Sequence, residues 1–267
     1  MSGGERSWLF VPGARPDRFG KAMASGADVV ILDLEDAVAE GDKAKARATV
    51  IEALNASGPC AVAVRINAVD RAVGLEDLTA LARASVRPDF VVAPKVEHSE
   101  TVRLISAVLG EGSAAPRVVA LIESAAGVAE VNQIARAPGL AALMFGAADY
   151  SADLGVTAGA HPHLHARAAV ANAAAAAGIR AMDSPAFDIA DLEALEAECC
   201  SARGLGFHAK AAIHPSQVSI INDAFDWSPE EKSRAERILQ ALDGVGTLDG
   251  KMIDLAMARW ARRVLAP

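Results

Sequence analysis

Arg117–Gly127 reads RVVALIESAAG: an apolar run that closes on Glu123, then small residues, then a helical pattern. A strand this rich in Val, Leu and Ile gains by being covered on both faces, but the charge of Glu123 costs several kcal/mol to bury unless it is paired or bound to a cation. The stretch therefore predicts a buried parallel strand, with Glu123 placed where the chain leaves the core. The next apolar stretch, LAALMFGAADY from Leu140 to Tyr150, repeats the design and closes on Asp149. Two neighbouring strands that each deliver one carboxylate at the C-terminal end make a two-oxygen claw for a hard divalent cation such as Mg2+.

The same rhythm extends outward in both directions. Ser7–Pro12, Asp28–Leu34, Cys60–Asn67 and Phe90–Val96 precede the central strand, and Ile179–Asp183 and Phe207–Ile213 follow Leu140–Phe145. Helical segments alternate with these runs, which is the signature of βαβ units around a parallel sheet. Eight units predict an α/β fold of the closed (β/α)8 barrel type. Charge placement agrees, because Glu35, Arg65, Lys95, Glu97, Glu123, Asp149, Asp183 and His214 all fall at or just beyond strand ends, where barrel enzymes keep their sites. An open sheet would gather such groups at one crevice. No GxGxxG or GxxxxGKS stretch is present, so neither nucleotide fingerprint applies. Residues 1–227 read as the barrel and 228–267 as a short helical extension. In that extension Ser228 caps a helix from Pro229 to Leu242, Asp243–Gly250 is a Gly-rich hinge, and Gly250–Leu265 is a final amphipathic helix.

The 267 residues carry 26 Lys and Arg against 34 Asp and Glu, a net charge of −8. This excludes a basic nucleic-acid footprint and requires that any anionic ligand be met by a few placed cations. No apolar run approaches the ~20 residues of a membrane helix, and the N-terminus lacks a secretory pattern, so a cytoplasmic protein without membrane or nucleic-acid partners is expected. Three cysteines without metal-ligand spacing read as reduced thiols.

Seven stretches in order, RSWLFVPG with RPDRFGKA, DVVILDLEDAV with KAKARA, VRIN, APKVE, LIESAAG, FGAADYSADLG and KAAIHPSQV, together resemble the HpcH/HpaI aldolase and citrate lyase β-subunit-like family. The resemblance covers Arg6 to about Asp254. It implies a barrel that binds Mg2+, with Mn2+ as an alternative, and makes or breaks a carbon–carbon bond. It carries the metal ligands onto Glu123 and Asp149 and a substrate-carboxylate role onto Arg65, whose planar fork suits bidentate binding. The malyl-CoA lyase branch implies CoA or acyl contacts at Phe10, Val11, Arg15, Lys21, Ala148, Ile213 and His214. A C-terminal aspartate that serves as acid or base matches Asp254 of KMID, although Leu255, Ala256 and Met257 stand where the family often has a proline. The resemblance further implies a homotrimer or hexamer acting on a short β-hydroxyacyl-CoA. Its alternatives are a citrate-lyase-like complex working on an acyl carrier protein, and a CoA-independent aldolase of 2-oxo acids.

Glu35 and Asp36 read either as groups that orient Arg65 and metal-bound water or as a helix cap. Lys95 and Glu97 read as a pair across the barrel mouth. His161, His163 and His165 have the spacing of one face of a strand, yet the pattern after them is helical, so they read as a loop and helix start.

Overall fold

The computed structural model describes residues 4–56, 58–110, 112, 115–157, 163–241 and 246–266. It contains two compact units, Arg6–Ala224 and a smaller one built mainly from Phe225 onward.

In the larger unit, β1 (Ser7–Pro12), β2 (Val29–Asp33), β3 (Ala61–Arg65), β4 (Phe90–Ala93), β5 (Arg117–Ile122), β6 (Leu140–Phe145), β7 (Arg180–Asp183) and β8 (Ala209–Ala212) close into one barrel. Every neighbour is parallel, and β1 pairs with both β2 and β8. The helices α1 (Phe19–Met23), α2 (Lys43–Ala53), α3 (Ala72–Arg83), α4 (Ser99–Leu109), α5 (Ala125–Ile134), α6 (Ala147–Asp153), α7 (Leu164–Ala177), α8 (Leu192–Leu205) and α9 (Val218–Phe225) follow in chain order. This is the (β/α)8 barrel. The short helices α6 and α9 are additions that the apolar periodicity does not announce.

Side-chain alternation decides what fills the barrel. Trp8, Val29, Ile31, Ala63, Phe90, Val92, Val119, Leu121, Met144, Met182 and Ala209 form one buried interior cluster, with Trp8 and Phe90 edge to face at 4.7 Å between centroids. Extending the same period of two toward the C-terminal ends brings Phe10, Asp33, Arg65, Glu123 and Gly146 onto the inward face. At the C-terminal ends of the strands the apolar plug thus gives way to polar groups, and the candidate site is built there.

The smaller unit contains α10 (Pro229–Ala241), β9 (Gly246–Leu248), β10 (Lys251–Ile253) and α11 (Leu255–Val264) around Ala235, Ile238, Ile253, Ala261 and Val264. Ser228 and Glu231 form a reciprocal cap on α10, at 2.9 and 3.1 Å. The expected hinge and unbroken helix are replaced here by an antiparallel hairpin, in which Lys251 pairs with Leu248. Asp249 (φ 52°) and Gly250 (φ 75°) are its two turn residues, in the left-handed conformation that a tight hairpin requires and an Asp-Gly pair supplies. Residues 243–245 of the expected hinge and Leu242 lie outside the described residues.

Candidate active site

Glu123 is 4 % exposed, one residue past β5, where the strand meets the end of the barrel. Its Oε1 accepts the Lys95 main-chain N–H at 2.7 Å. Across the β5–β6 ladder, which pairs Ile122 with Phe145, the next inward position is Gly146. A Cβ there would lie 2.6 Å from Glu123 Cβ and 2.8 Å from its Oε2. Gly146 therefore leaves the room that the Glu123 carboxylate occupies. Asp149 does not end the strand, as the sequence suggested; it sits in the first turn of α6. The Gly146 N–H bonds back to Ile122 O at 2.9 Å, and the chain then winds into the helix, which carries Asp149 to the rim beside β5.

Lys95 lies between these groups. Its Nζ is 3.0 Å from Glu35 Oε1, 3.9 Å from Asp36 Oδ1 and 4.0 Å from Asp149 Oδ1. The expected Lys95–Glu97 pair is not formed, because Glu97 instead accepts from Ser124 Oγ at 2.6 Å while Ser124 caps α5 through the Gly127 N–H at 3.0 Å. Burial pushes the Glu123 carboxyl up, and the charges of Glu35 and Asp149 add to it, to a pKa of about 8. Glu35 is also raised, by burial above all. Burial is the largest single influence on the Lys95 ammonium and lowers it, but the bond to Glu35 together with the charges of Glu35, Asp36 and Glu123 outweighs that and raises it.

Arg65 is committed differently from the sequence expectation. Its bidentate edge is taken by Asp33, with Nε and Nη2 each 2.7 Å from a carboxylate oxygen. A free fork for a substrate carboxylate is thus not available on that side, and the outward Nη1 and second Nη2 hydrogen remain. Nη1 stands 2.9 Å from Glu35 Oε2 but off the hydrogen-bond direction, so that buried oxygen is charge-paired and still lacks a donor. Asp33 is the residue that the sequence reading passed over in LDLED. It also accepts the Glu35 N–H at 2.9 Å, which fixes the turn carrying Glu35 and Asp36. Buried Lys43 secures the same turn from α2 by donating to Leu34 O and Glu35 O at 2.9 and 2.6 Å.

A cavity of about 470 Å³ opens next to these groups, lined by Phe10, Val11, Lys21, Ile213 and His214 together with Leu9, Pro12, Asp17, Arg18, Ala22 and Pro215. Five residues that the resemblance placed at the CoA are thus brought together. Arg15 is not among them, and its guanidinium is held by Asp17 at 2.9 and 2.7 Å. Ala148 is absent too, and stays beside Asp149 in α6. Phe10 joins the two halves, since the Arg65 guanidinium lies 4.9 Å above its ring centroid. Gln217, which lies within KAAIHPSQV but takes no role from the resemblance, shapes the far wall by accepting the Ile213 N–H at 2.9 Å and donating to Ala186 O at 2.9 Å.

One residue expected at the mouth, Asp183, has another position. Asp183 follows inward-facing Met182 and so points into the helical layer, where Arg167 of α7 holds it with two bonds of 3.0 Å and Lys210 of β8 with one of 2.9 Å. Asp254, in the smaller unit, caps α11 by accepting from the Ala256 and Met257 N–H groups at 2.9 and 3.1 Å. Of the histidine run, His163 bonds buried Ser151 at 2.7 Å, and His161 lies outside the described residues.

At the barrel end the carboxylates of Asp33, Glu35, Asp36, Glu123 and Asp149 face the cations Arg65 and Lys95, an excess of negative charge. No cluster of three or more metal-binding side chains occurs among the described residues. What the site offers is two hard oxygen donors, with the remaining coordination positions left to water and ligand, and this suits Mg2+. Residues 6–215 match the family model described as HpcH/HpaI aldolase/citrate lyase. The chain belongs to that family. It is 36% identical, over 97% of its length and 93% of the other's, to the L-malyl-CoA/beta-methylmalyl-CoA lyase of Cereibacter sphaeroides. It is 37% identical, over the same shares, to a citrate lyase subunit beta-like protein of Mycobacterium tuberculosis. Among solved structures, CitE from M. tuberculosis in complex with magnesium, acetoacetate and coenzyme A superposes with a TM-score of 0.84 at 35% identity, covering 98% of this chain and 97% of that one. RipC from Yersinia pestis gives 0.76 at 40% identity, covering 86% and 99%. Family membership makes the chain a carbon–carbon lyase.

Proposed function

We propose that the chain is a Mg2+-dependent lyase that divides a short 3-hydroxyacyl-CoA such as malyl-CoA or citramalyl-CoA into an acyl-CoA and a 2-oxo acid, or joins the two. The observation that carries this reading is the juxtaposition, through Phe10, of the Glu123–Asp149 carboxylates and Arg65 with the cavity bearing Arg18, Lys21 and His214. The relatives named for malyl-CoA cleavage, and the solved relative holding magnesium with coenzyme A, support it.

Glu123 and Asp149 would hold the ion. Bound there, Mg2+ supplies a Lewis acid for the carbonyl of the 2-oxo acid and a template that orients it. The outward edge of Arg65 receives the substrate carboxylate, held rigid by Asp33 behind it. Lys21 and Arg18 meet CoA phosphates, while Phe10, Val11 and Ile213 cover its apolar arm. In the cleavage direction the bond between C2 and C3 breaks, the C3 hydroxyl proton leaves to a base, and C2 of the departing thioester takes up a proton. On the strength of the KMID motif, Asp254 is assigned that last proton. Glu35 and Asp36 orient Arg65 and the ion's water. The protein works in the cytoplasm as a homotrimer or hexamer.

The test is to incubate the purified protein and Mg2+ with a panel of 3-hydroxyacyl-CoA thioesters, and with acyl-CoA and 2-oxo acid pairs, and to identify products by mass. Release of a 2-oxo acid from a free CoA thioester is expected. Turnover only of thioesters on an acyl carrier protein would instead favour the citrate-lyase-like complex. Turnover only of free hydroxy-oxo acids would favour the CoA-independent aldolase.

A further inference from the structure

Alternation along β4 sends Phe90 and Val92 into the barrel, so continuing it would turn Lys95 out toward the helices. The backbone overrides this. β4 ends at Ala93, and Lys95 holds φ 53°, the left-handed conformation that residues with a Cβ seldom adopt. One residue thereby serves the site twice. Its N–H reaches Glu123 Oε1 at 2.7 Å, and its ammonium lies within 3.0 to 4.0 Å of Glu35, Asp36 and Asp149.

We propose that Lys95 is a positioning residue and the site's built-in counter-cation: its main chain aims Glu123, and its ammonium competes with the divalent ion for the surrounding carboxylates. This rests on Glu123 and Asp149 being the metal's ligands. A positive charge so near Asp149 opposes entry of a second cation, and an ion that binds Asp149 must also compete with the ammonium for that carboxylate. Both effects have the same sign, so removing the charge tightens binding.

The experiment is direct titration of Mn2+ by electron paramagnetic resonance, which reads the free ion and needs no turnover. Lys95→Met removes the charge at similar length. Lys95→Gly also removes it, and its backbone accepts positive φ freely while keeping the N–H to Glu123, so it separates charge from folding. Both variants are expected to bind Mn2+ about tenfold more tightly than the wild type at low salt, with the gain shrinking as ionic strength rises. Lys95→Arg, which keeps the charge, is expected to stay within about twofold of the wild type. The proposal is overturned if Lys95→Met and Lys95→Gly bind no more tightly than the wild type, or if Lys95→Arg gains as much as they do. Glu123→Ala separates the two levels of the claim. If it binds Mn2+ like the wild type, the ligand assignment itself has failed; if it loses the ion while the Lys95 charge removals change nothing, the ligands stand and the role of Lys95 falls.

Discussion

Glu123 shows how much a single side chain can cost a fold and why an ion repays it. Its carboxyl is raised from an ordinary 4.5 to about 8 by burial and by Glu35 and Asp149. A group raised on folding contributes stability in full below the unfolded value and loses it as pH climbs through the folded one. The metal-free protein is therefore expected to melt at progressively lower temperature between about pH 5 and pH 9, and Mg2+ to flatten that slope by favouring the ionised form. In Glu123→Gln most of the slope should vanish, leaving the part of the same sign that comes from Glu35. Melting curves across pH, with and without Mg2+, check this; equal slopes in wild type and variant would exclude Glu123 as the source. The neighbouring glycine gives a second prediction at this scale. Gly146→Ala would drive a methyl group to 2.8 Å from Glu123 Oε2, so it should cost about 1–3 kcal/mol and weaken Mg2+ binding together. Denaturant unfolding and metal titration of the same variant would show both effects.

At the scale of elements, the barrel was legible because eight apolar runs had strand length and regular spacing, and because β5 and β6 each led to a carboxylate. What was not legible follows from alternation. Asp183 and Glu123 both stand at strand ends, but Met182 faces inward where Ile122 does not, so Asp183 turns to the helices and Glu123 to the mouth. Asp33 was hidden for a related reason. In LDLED the visible cluster is Glu35 and Asp36, yet the acid in phase with Val29 and Ile31 is the one that grips Arg65. The hairpin of β9 and β10 was announced by Asp249-Gly250 and was lost in the reading of a general Gly-rich stretch. Two predictions follow for elements. The Asp183 network ties β7 and β8 to α7, and removing its carboxylate takes two bonds from buried Arg167 and one from buried Lys210. Asp183→Ala should therefore cost about 3–5 kcal/mol while leaving Mg2+ affinity unchanged; an altered affinity with little loss of stability would return Asp183 to the site. For Asp254, asparagine is an equally good helix cap. If the residue moves a proton, Asp254→Asn will abolish turnover with an unchanged melting temperature. Full activity in that variant would reduce Asp254 to its cap on α11.

The molecule as a whole is acidic, with a net charge of −8, while the proposed substrate is a polyanionic thioester. Only local cations can attract it, and Arg18 and Lys21 on the cavity wall are the ones available there. Lys21→Ala is expected to raise KM for a CoA thioester several-fold with little change in kcat, and the wild-type KM to rise with ionic strength. The proposed function divides chemistry and recognition between the carboxylate end of the barrel and its neighbouring cavity, and it stands or falls on the first of these. The most direct measurement is the rate of carbon–carbon cleavage as a function of Mg2+ concentration in wild type, Glu123→Ala and Asp149→Ala. The account predicts a saturable dependence in the wild type and at least a hundredfold loss at every Mg2+ concentration in both variants, each melting no lower than the metal-free wild type. Wild-type rates in either variant, or cleavage indifferent to Mg2+, would contradict it.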